Sequence, residues 1–369
     1  MLGQNPKDFD IATNAHPNEI RKLFKNCRLI GRRFRLAHIL FHREIIEVAT
    51  FRKECNKGVN QKKNADGMIV RDNVYGRLDD DVWRRDLTIN ALYYNIADFS
   101  IIDYAGGYKD IKNKLIRIIG SPTERYQEDP VRMLRAIRFA AKLNFSIEEE
   151  TSNAIHHCKD LLTNVSNSRL FDEVTKLYHC GNSIKVQELL IDYGLFGLLF
   201  PLPNSVMQNE ENVSSLIHYT LENTDNRIQS KRPVTPAFFY AVILWYPLRQ
   251  KSAEYENQGH PPLTALEMAM SSILSIQCKQ TSIPKRLSQS IREMWLLQYR
   301  LPKRYGFRAL KTLEHPRFRA AYDFLLLRTL VGEESVELAD WWTAFQEADT
   351  DNRRAMIKKV SAPKRKKRK

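Results

Sequence analysis

The sequence has few cysteines, and they are scattered: Cys27, Cys55, Cys158, Cys180 and Cys278 among 369 residues. Odd in number and without a Cys-x-x-Cys pair, they suggest neither a disulfide framework nor a zinc cluster, and a reducing cytoplasm is the expected setting. No apolar run approaches the roughly 18 residues of a membrane span, and the N-terminus lacks the charged-then-apolar pattern of a signal. No membrane span is therefore expected. No fixed-period repeat is evident, so a solenoid is not expected either. The adjacent trio His156-His157-Cys158 is a poor metal cluster, because neighbours on a helix point in different directions.

What the chain has in quantity is positive charge. Lys and Arg number 58 against 43 Asp and Glu, a formal +15, with 43% hydrophobic residues. That is enough apolar content for two or three domains, and the charge favours an acidic polymer or anionic surface as partner. Lys358, Lys359, Lys364, Arg365, Lys366, Lys367, Arg368 and Lys369 crowd the C-terminus, where a disordered basic tail is expected.

Three motifs carry candidate chemistry. In Pro6-Lys7-Asp8-Phe9-Asp10-Ile11-Ala12-Thr13, apolar residues alternate with two carboxylates, as in a half-buried strand. Asp8 and Asp10 would then share a face. Oxygen-only ligands of this kind suit Mg²⁺, which leaves its remaining positions to water and substrate phosphates. A solvated strand face is the plain alternative. A helix opening near Pro17 and a hairpin of Ile30 to Phe41 with Glu44 to Arg52 follow. There Arg32, Arg33 and Arg35 read equally as partners of Glu44 and Glu47 or as phosphate-facing groups, and Glu47 could support the metal. Residues 53–70 lose apolar periodicity, as in a mobile loop.

The second motif, Arg84-Arg85-Asp86, stands at the centre of Asp79 to Asn95, whose apolar spacing is that of a helix passing into a buried segment. Two guanidiniums suit phosphate oxygens, and the carboxylate suits a ribose hydroxyl or a metal; a surface cluster is the alternative. In the third motif Asp129, Arg132 and Arg135 recur every three residues, forming one polar ridge opposite Met133, Leu134, Ile137, Ala140 and Ala141. Such a ridge can hydrogen-bond a base edge, or it can be an Asp–Arg pair capping the helix. Amphipathic helices follow, around 170–177, 186–199, 236–246, 263–276, 289–300, 318–330 and 338–345. Lys285, Arg286, Arg300, Lys303, Arg304, Arg308 and Lys311 are interleaved with Trp295, Tyr299, Tyr305 and Phe307. Cations among aromatics suit single-stranded nucleic acid, and they equally suit core aromatics with snorkelling arginines.

Taken together and in this order, the motifs resemble those of class II template-independent nucleotidyltransferases, the branch of the polymerase β-like superfamily holding tRNA CCA-adding enzymes and bacterial poly(A) polymerases. The likeness runs over Pro6 to Asp10, Arg84 to Ala91 and Glu128 to Phe139. It leans to the bacterial poly(A) polymerases through Gly31 to His38, Glu44 to Arg52, Trp245 to Leu248, Ile283 to Arg286, Glu314 to Asp323 and the basic tail. The resemblance implies a mixed α/β nucleotidyltransferase head over 1–120, a helical neck over 121–180 for base recognition, an all-α body over 181–350 for RNA binding, and the tail over 351–369. It implies two Mg²⁺ ions on Asp8 and Asp10, with Asp86 as the third acidic residue. Arg84, Arg85, Asp86, Asn90, Asp129, Arg132 and Arg135 would bind the nucleotide. Lys285, Arg286, Arg300, Lys303, Arg304, Arg308 and the tail residues Lys364, Arg365, Lys366, Lys367, Arg368 and Lys369 would bind RNA. ATP would be the substrate, RNA 3′ ends of mRNA and small RNAs the acceptor, and RNA-decay proteins the companions.

One element of the family pattern is absent: the Gly-Gly turn and Arg-Asp pair before the Asp-x-Asp strand, since the chain starts Met1-Leu2-Gly3. The expectation is an N-terminally incomplete head. That leaves open a non-catalytic RNA-binding remnant, beside a CCA-adding enzyme.

Overall fold

Alternation of apolar and polar residues builds the first part of the chain. The computed structural model describes residues 2–3, 9–31, 35–42, 44–53, 62–63, 69–71, 74–207 and 211–360. Strands β1 (Ile11–Thr13), β2 (Cys27–Ile30), β3 (Leu36–Phe41) and β4 (Glu44–Thr50) form one sheet in the order β1-β4-β3-β2. β1 runs parallel to β4, while β4–β3 and β3–β2 are antiparallel. Helix α1 (Pro17–Leu23) begins on a proline at its first turn, where a missing amide costs nothing. Ile20 of α1 packs with Cys27, Ala37, Ile39 and Val48, every second residue of their strands. The hairpin expected between Ile30 and Arg52 is thus present as β3 and β4. The first strand is shorter than expected. It starts at Ile11, so Asp10 stands at its entry, and Asp8 lies outside the described residues.

The stretch from Asp79 to Asn95, expected as a helix passing into a buried segment, divides in that way. Helix α2 covers only Leu78–Trp83, and a 3-10 turn follows at Thr88–Asn90. Between them the chain is drawn into an extended bridge: Leu87, fully buried, pairs with Ile118, and the Thr88 amide donates to the Arg117 carbonyl at 3.0 Å. Helix α3 (Gly107–Asn113) is held beneath that turn by the Asp103 carboxylate, which accepts from the amides of Gly107 and Tyr108. Gly107 itself is required by closeness, because a Cβ there would lie 2.2 Å from the Thr88 carbonyl oxygen. Helix α4 (Pro122–Glu128) completes this region.

The chain divides into two compact units, Met1–Glu128 with Phe145–Ala154, and Asp129–Asn144 with Ile155–Lys369. The first is mixed α/β. The second is helical throughout its described residues. It opens with α5 (Val131–Leu143), whose Met133, Leu134, Ala136, Ile137, Ala140 and Ala141 are buried, the expected apolar face. Each large side chain among them contributes about 1.5–3 kcal/mol on burial. The reading of one helix over 186–199 is corrected to two, Ser183–Asp192 and Phe196–Leu199, broken where Gly194 adopts φ +69°. Likewise 236–246 divides into Pro236–Ile243 and Trp245–Asn257. No helix among the described residues is long and apolar enough to cross a membrane.

Candidate active site

In the first unit, the site residues gather on two features: the edge strand β1 and the turn after α2. β1 pairs with β4 in parallel, Ile11 beside Val48. One step earlier along that register, Asp10 comes level with Glu47; Asp10 is exposed and Glu47 half-buried. Glu47 is fixed by His38 on the next strand, whose Nε2 lies 2.9 Å from Glu47 Oε1. Arg32 and Arg33, read as partners of Glu44 and Glu47 or as phosphate-facing groups, lie outside the described residues. Carboxylate oxygens of this kind, one of them oriented by a neighbour, are the donor type that suits Mg²⁺. Among the described residues no cluster of three His, Cys, Asp or Glu is placed to hold a metal.

The turn after α2 is organised by a residue the sequence reading passed over. Asp81, 5% exposed, accepts from the Arg52 amide at 3.1 Å, from Arg84 Nη1 at 3.1 Å, from Arg85 Nε at 3.3 Å and from the Tyr93 hydroxyl. Burial alone would push the Asp81 carboxyl up. The Tyr93 hydroxyl, the Arg85 charge, the Arg52 amide and Arg84 together outweigh it and hold the group below the usual aspartate range. The same contacts push the Tyr93 hydroxyl up, burial first and the Asp81 hydrogen bond next. Arg85 also donates to Tyr93 Oη at 2.8 Å and to the Asn90 carbonyl at 3.1 Å, and its guanidinium lies over the Tyr93 ring.

A second hidden residue fixes the backbone of this turn. Arg125 of α4, 7% exposed, donates through Nη2 to the carbonyls of Arg84 at 3.0 Å and Arg85 at 2.7 Å, and through Nη1 to Glu128 at 2.8 Å. Asp86 accepts from the Leu87 amide at 2.9 Å and faces the Asn90 amide at 3.4 Å. Arg84, Arg85, Asp86 and Asn90 are thus brought together in one rigid turn, with two half-buried guanidiniums gripped by a buried carboxylate. Arg-Arg-Asp is visible as a motif; Asp81 and Arg125 are single charges, and the only sequence signal for Asp81 is its place four residues before Arg85.

In the second unit the third motif is partly rearranged. Helix α5 starts at Val131, so Asp129 precedes it and the ridge on the helix is Arg132 and Arg135. Asp129 accepts from the Val131 amide at 3.3 Å, closing the first turn, and pairs with Arg169 at 2.6 Å from helix Asn167–Tyr178. That inter-helix partner was not read from the sequence. Arg135 and Arg138 lie over the Phe139 ring.

The basic-aromatic stretch resolves into both of its readings. Trp295 is fully buried and donates to the Ala241 carbonyl at 2.8 Å, so it is core. Phe307 is 81% exposed. Between them Lys303 Nζ sits 3.3 Å from the Tyr299 ring centre, and Arg308 lies over Tyr305. Arg304 is held at 3.1 Å by Glu337 and lies over Trp341. Lys285 and Arg286 are exposed at the start of helix Lys285–Arg300. Lys364, Arg365, Lys366, Lys367, Arg368 and Lys369 lie outside the described residues.

Comparison with known proteins places this geometry. The family descriptions "Poly A polymerase head domain", "Probable RNA and SrmB- binding site of polymerase A" and "Polymerase A arginine-rich C-terminus" match residues 1–117, 144–207 and 258–369. Poly(A) polymerase I of Salmonella typhi is 45% identical over 99% of this chain and 81% of its own length; that of Haemophilus influenzae is 44% identical over 97% and 81%. A CCA-adding enzyme of Bacillus velezensis is more distant, 38% identical over 71% of this chain and 62% of its own. Among solved structures, the Bacillus stearothermophilus CCA-adding enzyme in complex with CTP shares the fold with a TM-score of 0.59, at 21% identity over 98% of this chain and 82% of that one. The chain belongs to the bacterial poly(A) polymerase family of nucleotidyltransferases.

Proposed function

We propose that this chain is a polynucleotide adenylyltransferase, transferring AMP from ATP to RNA 3′ ends without a template, in the cytoplasm. The observation that carries the reading is the 45% identity to a poly(A) polymerase over nearly the whole chain, against a shorter and weaker match to CCA-adding enzymes. The geometry supports it. Arg84 and Arg85 are half-buried guanidiniums already fixed by Asp81, so they meet triphosphate oxygens without losing further side-chain freedom. Asp86 and Asn90 sit in the same turn and take ribose or metal contacts.

Asp8 and Asp10, with Glu47 beside Asp10, would hold Mg²⁺, two ions in the full arrangement. Bound there, Mg²⁺ supplies Lewis-acid activation of the RNA 3′ hydroxyl and neutralises the departing pyrophosphate. Asp129, Arg132 and Arg135 select the base, and Arg169 orients Asp129 for that purpose. Lys285, Arg286, Arg300, Lys303, Arg304, Arg308 and the tail draw RNA onto the second unit. RNA-decay proteins are the companions this activity implies, and the division into head, neck, body and tail at 120, 180 and 350 follows these roles.

Extension of a labelled non-tRNA oligoribonucleotide with Mg²⁺, given ATP alone and then CTP alone, tests the proposal. A long ladder with ATP only is the expected result. Addition confined to a few residues on tRNA, with CTP accepted, would overturn it. Asp10→Ala is expected to abolish transfer while RNA binding survives, and retained transfer would remove the metal assignment.

A further inference from the structure

The second unit holds a cavity that none of the roles above uses. It has a volume of about 250 Å³ and lies among helices Glu211–Gln229, Pro236–Ile243 and Phe318–Leu330. One wall is aromatic: Phe239 is buried and Phe238 half-buried. The rim is cationic, with Arg227, Arg317 and Arg319 against one lining carboxylate, Asp323. Arg319 pairs with Asp323 at 3.0 Å, Arg317 lies 3.5 Å from Glu293, and Arg227 donates to the Pro233 carbonyl at 3.0 Å. The cations outnumber the acids even so.

Two lining side chains suggest a ligand more directly. His179 is half-buried, and among the described residues its ring makes no side-chain hydrogen bond; Asn223 is exposed at the mouth, where its amide is open to a ligand as to water. Burial pushes the His179 pKa down, so the ring is neutral near pH 7 and offers one donor and one acceptor. Burial likewise pushes the Asp323 carboxyl up against the opposing pull of Arg319 and Arg227. An apolar wall, a few convergent polar groups and perturbed titrations together mark a small-molecule site. The volume of about 250 Å³ lies just below the roughly 300–1,000 Å³ of drug-sized sites, which leaves room for one flat ring system with its charged group at the rim.

We infer that this cavity binds one ribonucleotide: a base against the Phe238 and Phe239 wall with its edge toward His179 and Asn223, and a phosphate on Arg317 and Arg319. The chemistry is shared by a nucleotide of the RNA acceptor and by a free mononucleotide. The inference rests on the polymerase reading only where RNA is the source.

The test uses the full chain and two variants. Asn223→Trp plugs the mouth without altering charge, and Arg319→Gln removes a rim cation while leaving the space open. Affinities for AMP and for a short non-tRNA oligoribonucleotide are measured by titration. Both variants are expected to weaken the true ligand about tenfold, within what one stacked base contributes. Weakening of the oligoribonucleotide alone identifies an acceptor nucleotide, and weakening of AMP identifies a free one. Unchanged affinity for both ligands in Asn223→Trp overturns the inference, including the case in which Arg319→Gln alone weakens RNA through the general field. ATP-dependent extension by the unaltered chain is run alongside: its absence tells against the polymerase reading, whereas extension with plug-insensitive binding tells against the cavity alone.

Discussion

At the scale of single residues, Asp81 bears most of the arrangement around Arg84 and Arg85. Asp81→Asn removes the charge facing two guanidiniums and leaves them to compete for one weaker acceptor. It is expected to destabilise the first unit by about 2–3 kcal/mol, below the full cost of breaking a buried pair because both arginines reach solvent. Tyr93→Phe removes one neutral donor and should cost about 1 kcal/mol. Urea unfolding followed by hydrogen exchange in peptides of 75–128 measures both, and equal losses would remove Asp81 from its central place. The pH sign follows from the lowered Asp81 titration. A depressed carboxyl stabilises the fold above its unfolded value, ordinarily 3.8, and that contribution is lost as pH falls through the folded value. Asp81→Asn should therefore flatten the acid limb of stability below about pH 4. The sequence makes Arg84, Arg85 and Asp86 legible as a motif because three charges stand together. Asp81 was not, since its role depends on Tyr93 and Arg52, which reach it only after the chain has folded.

At the scale of elements, periodicity predicted what local pattern governs. The start of α1 at a proline, the β3–β4 hairpin, the apolar face of α5 and the helix Phe318–Leu330 were all readable. The end of α2 was not, because Leu87 leaves the helix to pair with Ile118, a partner 31 positions away that periodicity cannot see. Helix α4 matters for the same reason. It reads as a helix carrying charges, yet its Arg125 is buried and holds the carbonyls of Arg84 and Arg85. Arg125→Ala is expected to lower kcat for AMP transfer about 10- to 100-fold by letting that turn shift, as small misplacements of binding groups do. RNA affinity should stay within about twofold, because the proposed RNA-binding cations do not include Arg125, and Arg125→Lys should recover part of the rate by restoring one donor. A fall in RNA affinity with kcat unchanged would show that Arg125 does not act by positioning.

At the scale of the whole molecule, the +15 charge is a statement about association. Counterion release makes log affinity for single-stranded RNA fall with log salt by about 0.7 for each phosphate neutralised. Four to seven contacts from the exposed cations would give a slope of roughly −3 to −5. On the proposed reading, bases stacked on aromatics such as Tyr299, Tyr305 and Phe307 would add a part of binding that salt screens less, because stacking on a ring does not release counterions. The two contributions separate by mutation. Deleting 361–369 should reduce the slope by about 1 or more while leaving the high-salt residual affinity in place. Phe307→Ala, which removes an 81% exposed ring and no charge, should lower affinity at every salt concentration and leave the slope unchanged. The opposite pattern, a slope that follows Phe307 and not the tail, would mean that the basic end does not touch RNA and that the positive field of the helical unit alone draws it in.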